Sequence, residues 1–123
     1  MHPEVEETVD TAFMVTWKVP FPGREAAALQ LGVDSGEYWG KMAAEGVCSE
    51  PEWFFHPAGW GMWMVKGDRS VLTPLVHGET SREFLARGQL LLDSWQYALA
   101  ETGTGADRYM AEYGSSAVTL GVI

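Results

Sequence analysis

Trp60-Gly61-Met62-Trp63-Met64-Val65-Lys66 alternates as a strand does, yet both of its faces are apolar. Trp60, Met62 and Met64 fall on one side, and Gly61, Trp63 and Val65 on the other. A sheet built on such a strand must be covered twice, once by its own helices and once by something else. A second copy of the chain is the economical cover.

Working outward, Pro57-Ala58-Gly59 makes a tight connection back to a preceding strand over Trp53 to His56. Upstream, Ala12 to Val19 places Phe13, Val15, Trp17 and Val19 on one face and Met14, Thr16 and Lys18 on the other. Pro20-Phe21-Pro22-Gly23 ends that strand, and the helix formers Glu25, Ala26, Ala27, Ala28, Leu29 and Gln30 begin a helix at Arg24. Gly32 and Gly36 weaken it, and Asp34 with Glu37 has the spacing of a capping box, which predicts a kink or two pieces running to Glu45 and capped by Gly46.

Downstream, Val71 to Val76 is ambiguous between a helical turn and an extended link because of Pro74. Thr80 with Glu83 predicts a capped helix carrying Phe84, Leu85, Leu91 and Leu92. Trp95, Tyr97 and Leu99 alternate as a fourth strand ending at Thr102 and Gly103. A last helix is expected over Asp107 to Tyr113, stopped by Gly114, and Ala117 to Ile123 suits one more short strand. The order strand, helix, strand, strand, helix, strand predicts an α+β, ferredoxin-like split βαβ domain with a four-stranded antiparallel sheet and an extra C-terminal helix. Two copies packed through their bare sheet faces would enclose an apolar cavity between them.

The 123 residues suit a single domain, here residues 12 to 123, behind an acidic flexible tail over residues 1 to 11 that holds Glu4, Glu6, Glu7 and Asp10. Hydrophobic residues make up 46% of the chain and charged ones 20%, a globular composition. Seventeen acidic against eight basic side chains give a net charge of −9 with no basic stripe, so nucleic acid is not an expected partner. Apolar runs fall far short of the ~20 residues a spanning helix needs, so no membrane association is expected. The lone Cys48 and the absence of a signal-like start point to the cytoplasm.

Tyr38-Trp39-Gly40-Lys41-Met42-Ala43-Ala44-Glu45-Gly46, followed by Pro57-Ala58-Gly59-Trp60-Gly61-Met62, resembles the small YCII-related proteins of the dimeric α+β barrel superfamily. Phe13-Met14-Val15-Thr16-Trp17 is similar to the first strand of other small bacterial members, and the resemblance spans residues 12 to 102. It implies a homodimer, and a site that in the family pairs a histidine with an aspartate just before the segment matched by Pro57-Ala58-Gly59. Here His56 holds the aspartate's place and the first-helix region has no histidine, so only the position of His56 carries over.

His56 is also the candidate general acid or base from its own chemistry, since imidazole exchanges a proton near neutral pH and a strand end beside a turn can face a cavity. A hydrogen-bonded structural histidine is the competing reading. Tyr38 is a candidate proton or hydrogen-bond donor. Trp60, Trp63 and Trp17 offer flat apolar area for a ligand, against the alternative of core and dimer contacts, and the strand parity keeps Trp60 and Trp63 on different sides. Gln96, with Thr16 and Lys18, would supply polar groups. No zinc-ligand spacing, Walker loop or dinucleotide fingerprint is present, so neither a metal nor a cofactor is expected. Two functions remain open: an enzyme for proton transfer, isomerisation or cofactor-free oxidation of a small apolar or aromatic metabolite, and a non-catalytic ligand-binding or assembly module of the same fold.

Overall fold

The structure, a computed structural model, describes residues 9–122. In chain order the elements are β1 (Thr11–Trp17), α1 (Glu25–Ala44), β2 (Glu52–Phe55), β3 (Gly61–Gly67), α2 (Arg69–Val76), α3 (Glu79–Leu91), β4 (Gln96–Glu101) and α4 (Gly103–Leu120). The sheet order is β2-β3-β1-β4 with every neighbour antiparallel. β1 and β2 therefore run parallel with β3 between them, which is the split βαβ arrangement of a ferredoxin-like α+β fold.

Register fixes the two faces of the sheet. Val15 lies opposite both Trp63 and Tyr97, and Trp63 opposite Trp53, so these four form one row. Thr16 lies opposite Met62 and Gln96, and Met62 opposite Phe54, which form a row on the other side. The first face carries the core: Phe13, Val15, Trp63 and Val65 from the sheet, Trp39 from α1, and Leu72 and Val76 from α2. Of the strand residues on the second face, Ala12 alone is buried.

Four local expectations are corrected. α1 runs unbroken for 20 residues. Asp34 does not restart it, because its carboxylate accepts from Gln30 Nε2 at 2.8 Å and from Arg87 Nη2 at 2.9 Å, leaving nothing to cap. α3 begins one residue before Thr80, with Gly78 at the cap and no side-chain capping bond. α4 continues through Gly114 to Leu120, so Ala117 to Leu120 is helix and not strand. Its stop is Gly121, at φ 73°, where the left-handed turn sends Val122 N–H back to Ala117 O at 3.1 Å.

The ambiguous segment is α2, capped by Asp68, whose side chain accepts from Ser70 N at 2.8 Å. Val19 falls outside β1, which ends at Trp17. From Lys18 to Phe21 the chain pairs instead with Leu91 to Asp93, including a bridge between Pro20 and Leu92. The expected acidic tail lies mostly outside the described residues. Its last part does not hang free: Asp10 N–H donates to Gly67 O at 3.1 Å, Thr102 N–H to Asp10 O at 3.0 Å, and Thr11 opens β1. Among the described residues no helix is long and apolar enough to cross a membrane.

Candidate functional site

The larger cavity lies on the helix side of the sheet, within one chain, and measures about 800 Å3. Its floor is Phe13, Val15 and Trp17 of β1, Trp53 and Phe55 of β2, and Trp63 of β3. Leu31, Ser35 and Trp39 of α1 and Ser81, Phe84 and Leu85 of α3 form the roof, and Pro20, Leu92 and Trp95 close one end. Strand pleat explains the floor, since residues two apart share a face. Helical spacing explains the roof, since Leu31, Ser35 and Trp39 are four apart and are the buried stripe of α1.

The rings that frame this space meet mostly at angles. Trp17 stands at 64° to both Trp53 and Phe55, with centroids 6.4 and 6.3 Å away, and Trp53 and Phe55 lie side by side, 8° from parallel. Gly61 makes room for Trp17, because a Cβ there would sit 2.7 Å from Trp17 Cζ2. Leu29, Val33 and Phe55 leave the mouth apolar and exposed. Two hydroxyls are buried in this apolar lining, Ser35 at 5% exposure and Ser81 at 1%. The ionisable lining residues are Glu25 and Glu37, both exposed.

A second, shallower groove of about 260 Å3 opens on the other side of the sheet, lined by Thr16, Trp17, Lys18, Trp60, Gly61, Met62, Ser94 and Gln96. The expected site residues are thus divided. Trp63 lines the cavity, Trp60 and Gln96 line the groove, and Trp17 touches both. Thr16, Lys18 and Gln96 do converge as polar groups, but on the groove.

His56 lines neither space. It is exposed on the hairpin between β2 and β3, stacked on Trp60 with centroids 4.9 Å apart, and its Nδ1 accepts from Ala58 N at 3.0 Å. That bond puts the imidazole proton of the neutral form on Nε2. Tyr38 lines neither space either. It sits between Trp39 and Phe84, with centroids 5.2 and 5.7 Å away, and burial first, then the neighbouring Cys48 and Glu45, pushes its phenol up from its ordinary value. Burial, helped by Glu50, likewise pushes the Cys48 thiol up to about 11. No group of three or more His, Cys, Asp or Glu able to hold a metal ion occurs among the described residues.

Trp39, Trp53 and Trp95 also line the cavity, and as indoles they share the ligand-stacking reading given to the preferred tryptophans; Phe55, Ser35 and Ser81 had no such reading from the sequence. A signal existed for Ser35 and Trp39 in the four-residue spacing from Leu31, but it is visible only if the helix is read straight through Gly32 and Gly36.

No protein-family model matches the chain, and no curated protein matches it. Among solved structures it is similar to the NE2512 protein of unknown function from Nitrosomonas europaea, with a TM-score of 0.56 and 18% identity over 77% of this chain and 90% of that one. It is also similar to PA3566 from Pseudomonas aeruginosa, with a TM-score of 0.53 and 16% identity over 76% of this chain and 94% of that one. At these identities the likeness is one of fold.

Proposed function

We propose that the protein binds a small apolar or aromatic molecule in the helix-side cavity. The observation that carries this reading is an aromatic-walled space of about 800 Å3 with two buried hydroxyls. That size is within the ~300–1,000 Å3 of small-molecule sites. Among the described residues the ionisable side chains that line it are Glu25 and Glu37, both at the exposed rim and away from the aromatic floor, which favours binding over acid-base catalysis there. Titration with the uncharged probe N-phenyl-1-naphthylamine tests it. One probe per chain should bind with a rise in emission, and Ser35→Phe, which fills the roof, should abolish binding while circular dichroism stays unchanged. Undiminished binding in a folded Ser35→Phe variant would reject the cavity as the site.

A second reading keeps catalysis, favoured by the stack of His56 on Trp60 beside the polar groove. It requires a homodimer, as the YCII-related resemblance implies, in which a second copy covers the face of Met14, Met62, Met64 and Phe54 and turns the groove into an enclosed site. The lone Cys48 suits the reducing cytoplasm for either reading. Sedimentation at micromolar concentration should then give a dimer that Met62→Lys converts to folded monomer, and His56→Gln should remove turnover of a substrate without unfolding. A wild-type monomer would end this second reading and leave the first standing.

A further inference from the structure

We propose that the cavity selects an aromatic ligand that is uncharged or carries an ammonium group, and rejects one carrying a carboxylate, with Ser35 and Ser81 receiving its polar end. This rests on the reading of the cavity as a ligand site. The ionisable side chains of the lining are Glu25 and Glu37, both acidic and both toward the solvent side. Neither nearby guanidinium is a lining group: Arg87 lies over the Phe84 ring, 5.9 Å from its centroid, with Nη2 paired to Asp34 at 2.9 Å, and Arg24 donates to the Leu90 carbonyl and lies 5.5 Å from the Phe21 ring centroid.

Helix N-termini ordinarily attract anions, but the first turn of α1 carries Glu25, which accepts from Gly23 N at 3.2 Å, and that of α3 carries Glu79. A carboxylate entering this space would lose its water and, among the described lining residues, meet no cationic side chain. An ammonium loses water too, but indole faces and the two rim carboxylates offset part of that loss. An alcohol or neutral amine needs only a group that both donates and accepts, and a serine hydroxyl is such a group. Ser35 and Ser81 stand on the two roof helices and both line the cavity, so a ring lying on the aromatic floor has a hydroxyl on either helix to meet its polar end.

Isothermal titration at pH 7 of the intact chain with naphthalene-1-methanol, naphthalene-1-methylamine and 1-naphthoate separates the ideas, because the three share a ring system and differ in charge. The alcohol and the amine are expected to bind one per chain, with 1-naphthoate at least tenfold weaker. Naphthoate binding as tightly as the alcohol would overturn the charge selection while the cavity reading survives; no binding by any of the three would remove the cavity reading itself. Ser81→Ala is expected to weaken the alcohol about five- to tenfold and to leave 1-methylnaphthalene unchanged, as for a lost hydrogen bond. Equal losses for both compounds would make Ser81 a packing residue and overturn its assigned role.

Discussion

On the helix side of the sheet, Phe13 meets Trp63 edge-on at 5.4 Å and Trp39 at 5.3 Å, and Trp39 in turn lies 5.9 Å from Trp63. The opposite side offers Met14, Met62 and Met64, with Phe54 at 42% exposure and Gln96 and Ala98 exposed beside them. Both sides are apolar, but they are built for different work. Rigid rings that meet at steep angles brace one another and hold a space open. Methionines have three rotatable bonds and no fixed shape, so they conform to whatever is laid over them. The contrast teaches that apolar character alone does not locate a cavity; the stiffness of the side chains does.

The largest effect that can break this contrast comes from removing a brace. Trp39 is 1% exposed and touches Phe13, Trp63 and Tyr38. Trp39→Ala is expected to cost about 3–5 kcal/mol and to lower Tm by roughly 10 °C or more. Met64→Ala, on the half-exposed face, should cost about 1 kcal/mol in the isolated chain. Urea melts of both variants decide the matter, and equal losses would mean that the two faces do not differ in how they are packed.

Glycines sharpen the same contrast at smaller magnitude. A Cβ on Gly88 would sit 2.3 Å from Trp95 Cε2 and Nε1, so Gly88→Ala forces the end wall of the cavity to move and should cost about 1–3 kcal/mol. At Gly36 the nearest atom is Trp53 Cζ2 at 3.6 Å, an ordinary contact. Gly36→Ala should therefore stabilise the chain by roughly 0.5–1 kcal/mol through helix propensity alone. A thermal melt in which Gly36→Ala lowers Tm would show that the roof has no slack over Trp53.

These two glycines also mark how far the sequence could be read. Period-two alternation was enough for the four strands, and their order with the intervening helices was enough for the split βαβ sheet, because both follow from local spacing. Gly32, Gly36 and Asp34 misled because local rules count a glycine as a weak point and an Asp-x-x-Glu as a start. Asp34 is taken up by Gln30 one turn back and by Arg87 from elsewhere in the chain, and the helix carries its glycines because its buried stripe of Leu31, Ser35 and Trp39 is packed. Gly114 misled in the same way, since a stop depends on backbone handedness, which Gly121 adopts. The cavity was hidden for a related reason: alternation sorts residues onto two faces but cannot say which face the helices cover. Trp17 and Trp63 were legible as candidate rings, and they do line the cavity; the division of Trp63 from Trp60 was legible from parity. Ser35 and Ser81 were not, because their burial depends on α1 and α3 lying side by side.

The smallest effect concerns the latch that holds those two helices over the cavity. Asp34 of α1 pairs with Arg87 of α3, and its carboxyl is held below its ordinary value of 3.8, first by the hydrogen bond from Gln30 and then by the one from Arg87. A carboxyl lowered in the folded state stabilises that state above its ordinary value and stops doing so as pH falls through the lowered one. The loss should therefore fall in the acid window below about pH 4, and be absent at neutral pH. Because the pair is partly exposed, salt and solvent blunt it. Carbon-13 NMR titration of the Asp34 carboxyl gives the direct measure: Gln30→Ala should raise its midpoint by removing one hydrogen bond, and Arg87→Gln should raise it by removing both a hydrogen bond and a positive charge. If Arg87→Gln left the midpoint where it was, the contact across the two helices would play no part in the charge state of Asp34, and acid would not loosen the roof of the cavity through this pair.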